Sequence, residues 1–140
     1  MKPRIIALTA PVMAAASIAL PGTAHAGTQN FQSPSGNIAC SMDPTGVACD
    51  ISDYTYQPLP PPECARHVKW GNRFSLESGK PGTMVCHGDT LRVPNETTLN
   101  YGQTISAGKL SCKSDESGMK CTDSGSGHYF RVSKESFDLG

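Results

Sequence analysis

Six cysteines, at positions 40, 49, 64, 86, 112 and 121, and three histidines, His67, His87 and His128, are the residues best suited to chemistry beyond residue 26. Cysteine and histidine ligate metals, but structural zinc sites draw on Cys-x2–4-Cys pairs. The close pairs here, Cys40/Cys49 and Cys112/Cys121, lie nine apart. Cys86-His87 is the one adjacent pair, and an oxidised Cys86 is lost as a ligand. No metal and no cofactor is expected. For hydrolysis, the chain has no Gly-x-Ser-x-Gly elbow, His-Glu-x-x-His helix or glycine-rich phosphate loop. Gly125-Ser126-Gly127-His128 reads as a loop entering a strand. Asp89, in Cys86-His87-Gly88-Asp89-Thr90, suits a turn in which its side chain accepts a backbone hydrogen bond. No catalytic residue is therefore assigned. A small hydrolase using His128 or Asp89 stays open as an alternative.

Surface recognition is the remaining chemistry. Tyr54 and Tyr56, beside the run Pro58-Leu59-Pro60-Pro61-Pro62, are the candidates for a recognition patch. Trp70, Phe74, Phe130 and Phe137 are expected in the core of a chain with only nine aromatic residues. The proline run reads as a stiff extended connector that delivers Cys64. Asn95-Glu96-Thr97 is a glycosylation triplet, meaningful only in a host that glycosylates exported proteins.

The elements that must position these residues are strands. Short apolar stretches are cut about every 8–15 residues by Gly, Pro, Asn, Asp or Ser, with no sustained helical spacing. The expected fold is all-β, a small disulfide-stapled domain of short antiparallel strands with two similar cysteine-bridged hairpins. Expected strands are 37–42, 46–51, 74–76, 83–86, 90–93, 99–101, 109–113, 118–122 and 128–133. Segment 115–127 is polar and glycine-rich enough to be mobile around its hairpin.

Those hairpins form an internal repeat. Gly36-Asn37-Ile38-Ala39-Cys40, Asp43, Gly46 and Cys49 align without a gap onto Gly108-Lys109-Leu110-Ser111-Cys112, Asp115, Gly118 and Cys121. In each copy the cysteines flank an Asp-x-x-Gly turn. A turn centred on its middle pair sets the two cysteines opposite each other, where Cα atoms about 4.5 Å apart suit a disulfide. A bulge at Gly46 or Gly118 would shift that register. Cys64 then pairs with Cys86 by elimination. By chain entropy the Cys64–Cys86 bridge, closing the longest loop, is expected to contribute most stability.

Residues 1–26 read as a secretory signal peptide. Lys2 and Arg4 precede the apolar stretch Ile5 to Leu20, and Ala24-His25-Ala26 offers a cleavage site. Removal leaves residues 27–140 as a single six-cysteine domain, with ten basic residues against twelve acidic, a net charge of −2. Such a balance gives no footprint for nucleic acid, and no membrane span is expected after cleavage. Disulfides suit the oxidising environment outside the cytoplasm.

The chain resembles a family of small six-cysteine secreted proteins of actinobacteria, mycobacteria included, whose domain has no assigned function. The resemblance rests on Phe31-x-Ser33-Pro34-Ser35-Gly36-Asn37-Ile38-x-Cys40, Cys49-Asp50-Ile51, Pro60-Pro61-Pro62-x-Cys64 and Trp70-Gly71. It continues with Cys86-x-Gly88-Asp89-Thr90, Leu99-x-Tyr101-Gly102, Cys112 with Cys121, and Gly127-His128-x-Phe130-x-Val132-Ser133. It spans residues 31 to 137 and implies export, a six-cysteine framework and a β-rich domain, with no catalytic residue to transfer. The expected function is a secreted, non-catalytic binding or cell-envelope-associated protein, its partner an unknown extracellular protein or envelope component. An inhibitor of an extracellular hydrolase is the alternative.

Overall fold

Each Asp-x-x-Gly segment closes a two-residue turn. Asp43 pairs with Gly46 across one hairpin and Asp115 with Gly118 across the other. No bulge intervenes, so Cys40 faces Cys49 and Cys112 faces Cys121, with Cα separations of 4.1 and 4.0 Å. Both pairs are bonded, as are Cys64 and Cys86. In the first turn the Asp43 carboxylate accepts hydrogen bonds from the Thr45 hydroxyl and from the Thr45 and Gly46 amides. These donors hold it below the usual carboxylate range. In the second turn Gly118 has φ 126°, and a Cβ there would strike the Val132 carbonyl. The structure, a computed structural model, describes residues 27–140; the signal peptide read in residues 1–26 lies outside them.

The described residues form eleven strands and no helix. Strands β1 (Gln29–Gln32), β2 (Ile38–Asp43), β3 (Gly46–Ile51), β4 (Arg73–Glu77) and β5 (Thr83–Met84) make an antiparallel meander. Strands β7 (Thr104–Ala107), β8 (Leu110–Asp115), β9 (Gly118–Asp123), β10 (Tyr129–Val132) and β11 (Phe137–Leu139) repeat the same order. The repeat legible at Cys40/Cys49 and Cys112/Cys121 is thus two whole five-stranded sheets. Its outer strands escape a gapless alignment because the connectors differ. Residues 52–72 join β3 to β4, whereas residues 124–128 suffice between β9 and β10. The short β6 (Thr97–Thr98) extends the first sheet by pairing parallel with β1, one departure from the antiparallel expectation.

Alternation decides which side chains the sheets bury against each other. Cys40, Met42, Val47 and Cys49 point inward from the first hairpin, and Leu110, Cys112, Met119 and Cys121 from the second. Each hairpin cystine sits beside a phenylalanine of the next strand: Cys49 opposes Phe74 and Cys121 opposes Phe130. Phe74 and Phe130 are wholly buried, their ring centroids 6.0 Å apart, each worth about 1.5–3 kcal/mol of apolar transfer. Trp70 and Phe137, also expected in the core, pack against it half-buried.

Several strand expectations need correction. Residues 90–93 are not a strand, because side chains satisfy their amides: Asp50 Oδ2 accepts from Leu91 N and Thr90 Oγ1 from Arg92 N. Residues 99–101 instead enter a turn in which Gln103 N donates to Asn100 O. Strands β1, β7 and β11 were not anticipated. β1 has a single deeply buried apolar residue, Phe31, and the other two are short edge strands whose pairing comes from the neighbouring strand. Segment 115–127 holds all of β9 and a turn built on Asp123. That carboxylate is buried and accepts from Gly79 N, Ser126 Oγ and Gly125 N at 2.7, 2.8 and 2.9 Å. These donors, Gly79 first, keep it below the ordinary carboxylate range.

Candidate functional site

The two sheets differ on their outer faces. The second keeps its outer side chains exposed or half-exposed, whereas residues 85–93 lie over part of the first. Asp50 of β3 and Arg73 of β4 point outward in register beneath that cover. Arg73 Nε and Nη2 donate to the two oxygens of Asp50 at 2.6 and 2.9 Å, a bidentate pair with both side chains nearly buried. Arg73 Nη1 reaches Asp89 Oδ1 at 2.6 Å. Its hydrogen bonding to Asp50 is the main reason the guanidinium is held above its usual range. Asp89 in turn is held below the usual carboxylate range by Arg73.

His87 is buried at the end of this network. Its Nδ1 lies 2.7 Å from Asp89 O and its Nε2 2.7 Å from Asn72 Oδ1. Its backbone bridges Lys69 through two hydrogen bonds, beside the Cys64–Cys86 disulfide. Asp50, Asn72, His87, Asp89, Lys69 and Arg92 edge a cavity of about 270 Å³. Both ring nitrogens and both Asp50 oxygens are already engaged by partners within the fold, whereas the Asp89 side chain is mostly exposed. The arrangement clamps segment 85–93 onto the sheet.

The other sequence candidates scatter. Tyr56 is a correction: it is buried, its ring stacked on half-buried Tyr54 at 4.4 Å and its hydroxyl donating to Gly71 O at 2.6 Å. Burial raises its hydroxyl well above the usual tyrosine range. The long connector folds back on the core and takes Tyr56 with it, so Tyr56 offers no surface to a ligand. Trp70 Nε1 donates to Leu59 O at 2.8 Å and pins the proline run. Ser126 Oγ donates to Asp123, and His128 meets Ser126 through its backbone amide, so the pair forms no nucleophile–base dyad. Among the described residues, no group of three or more His, Cys, Asp or Glu is placed to hold a metal, and no cysteine is free.

A groove missed by the sequence reading lies where the two repeats meet. Its walls come from the β1–β2 connector, the β8–β9 turn, the β10–β11 turn and Tyr101, enclosing about 190 Å³. Tyr101, 54% exposed, is the most exposed large apolar residue described. Gly102 at φ 88° makes the Asn100–Gln103 turn possible, and Gly102 N and Gln103 O bond the backbone of Ser114. The turn therefore presents the ring from a fixed base. Asp115, Glu116 and Glu135 line the groove with Lys134. Ser114 also lines it and is 1% exposed. Ile38 and Met119 supply apolar lining. Tyr101-Gly102 was the one signal in the sequence, an aromatic residue before a turn glycine.

Glu96, within the glycosylation triplet, behaves differently. Its side chain is 4% exposed, Oε2 has no partner, and Oε1 is 3.6 Å from Arg92 Nη1. Burial raises its carboxyl above the usual range, with Arg92 opposing weakly. A raised carboxyl favours the folded state at low pH and costs stability as pH rises through its folded value. Glu96→Gln is therefore expected to melt higher than wild type at pH 7, with the gap closing below pH 4. Melting curves at both pH values check this; an unchanged or lower melting point at pH 7 contradicts it.

Residues 12–139 match the model of a family described as a family of unknown function (DUF6636). No curated protein and no solved structure matches the chain.

Proposed function

Because the chain belongs to the DUF6636 family of unknown function, its activity has to come from its own residues, and we propose a secreted, non-catalytic binding protein of the cell exterior or envelope. Residues 1–26 are its export signal, and residues 27–140 work as one domain. One observation carries the reading. The buried Asp50, Arg73 and His87 are spent on internal hydrogen bonds, whereas the Tyr101 groove keeps an aromatic ring and carboxylates open to a ligand. The three disulfides add support, since they suit an oxidising compartment. The groove is the recognition site of this reading, in place of the buried Tyr56.

Expression in a secreting host is expected to release a protein beginning at Gly27 with no titratable thiol after denaturation. The mature protein is expected to co-sediment with cell-envelope fragments in a saturable manner. A protein that stays wholly in the supernatant argues against envelope binding.

A second reading has its own support. Residues 57–63 form an exposed, proline-rich strap held by the Trp70–Leu59 hydrogen bond and the Cys64–Cys86 bridge. A preformed extended segment loses little entropy on entering an enzyme cleft, which suits an inhibitor of an extracellular hydrolase. Assays against a panel of proteases and lysozymes decide: full enzyme activity at micromolar protein ends this reading.

A further inference from the structure

We propose that the Tyr101 groove is a saccharide subsite that takes one ring of an uncharged hexose oligosaccharide. The inference rests on the binding reading above and supplies its ligand class. Volume sets the first limit, because about 190 Å³ falls below the range of drug-sized ligand sites and suits a single sugar ring. Lining chemistry sets the second. Asp115, Glu116 and Glu135 provide acceptors, the Lys134 ammonium provides donors, and Tyr101 offers an aromatic face. A pyranose matches this mixture: its hydroxyls donate to carboxylates and its axial C–H face packs on an aromatic ring.

Charge sets the third limit. Three carboxylates against the single ammonium of Lys134 repel uronates, phosphates and acidic lipids. A purely apolar ligand would bury those carboxylates unpaired. A cationic side chain would meet the like charge of Lys134, which lines the same groove. The turn that carries Tyr101 is fixed by Gly102 and by its bonds to Ser114, so the ring needs little ordering on binding.

The test is amide NMR of the mature protein titrated with cellotetraose, mannotetraose and N-acetylchitotetraose. A hyaluronan tetrasaccharide and tetralysine serve as charged comparisons. Expected are shifts at Tyr101, Gly102, Ser114 and Gly118 with at least one neutral sugar and weaker or no shifts with the charged probes. Tyr101→Ala is expected to weaken that binding about tenfold with no change in melting point, and Tyr101→Phe to restore it. The proposal falls if no neutral oligosaccharide shifts these amides. It falls equally if tetralysine or hyaluronan binds better, or if Tyr101→Ala binds as well as wild type. Envelope co-sedimentation separates the two readings. Saturable co-sedimentation that soluble sugars fail to compete overturns the saccharide assignment alone, whereas absence of co-sedimentation counts against the envelope reading itself.

Discussion

Removing a hairpin cystine is expected to cost more stability than removing Cys64–Cys86, the reverse of what loop length implies. Chain entropy gives about 2.7 kcal/mol for a bridge nine residues apart and about 3.4 kcal/mol for one 22 apart, a difference of about 0.7 kcal/mol. Burial outweighs that difference. Cys40, Cys49, Cys112 and Cys121 are wholly buried between the sheets, whereas Cys64 and Cys86 are half-exposed. Deleting two core sulfurs leaves a void lined by Phe74 or Phe130 and adds about 1–3 kcal/mol by analogy with small core deletions. The Cys40→Ala/Cys49→Ala and Cys112→Ala/Cys121→Ala pairs should therefore melt below Cys64→Ala/Cys86→Ala, by about 1–10 °C. Scanning calorimetry of the three double variants measures this. If a hairpin variant fails to fold, graded reduction of wild type gives the same information, because half-exposed Cys64–Cys86 should open first. A lowest melting point for Cys64→Ala/Cys86→Ala would restore loop length as the governing term.

The second large effect concerns Arg73. Replacing it by leucine strips Asp50 of both its guanidinium hydrogen bonds and leaves a carboxylate under segment 85–93 with only the Leu91 amide. Breaking a buried ion pair on one side costs about 3–5 kcal/mol. Against a total of about 5–15 kcal/mol for a domain, that is a large share. Asp89→Asn should be far milder, because the Asp89 side chain is mostly exposed and screened by solvent. Asp50→Leu/Arg73→Leu should recover much of the single-variant loss, since no unpaired charge then remains. Urea unfolding of these variants tests the order. Equal losses for Arg73→Leu and Asp89→Asn would mean that Asp50–Arg73 is not the clamp. The same clamp gives Asp89 an acid-sensitive role: its contribution is present above the ordinary carboxylate range and fades as pH falls through its lowered value.

What could be read from the chain alone was local. The nine-residue cysteine spacing and the Asp-x-x-Gly turns set the register of both hairpins. They therefore set the pairings Cys40–Cys49 and Cys112–Cys121, because a two-residue turn leaves no freedom between neighbouring strands. Phe74 and Phe130 were recognisable as core by type. The all-β class followed from turn residues that interrupt every short apolar stretch.

Everything that depended on residues far apart in sequence was decided by the tertiary structure. Tyr56 looked available beside the prolines, yet the 52–72 connector folds back and buries it against Phe74 and Phe137. Arg73 and Asp50 are 23 residues apart and carry no local motif, so only strand pairing shows the clamp. The groove joins Tyr101, Ser114 and Glu135 to Ser33, Asn37 and Ile38 of the first repeat, two sets that meet only because the five-stranded repeats pack against each other. Hairpin register is a short-range property of turns, whereas a site assembled across two sheets exists only once both have found their faces.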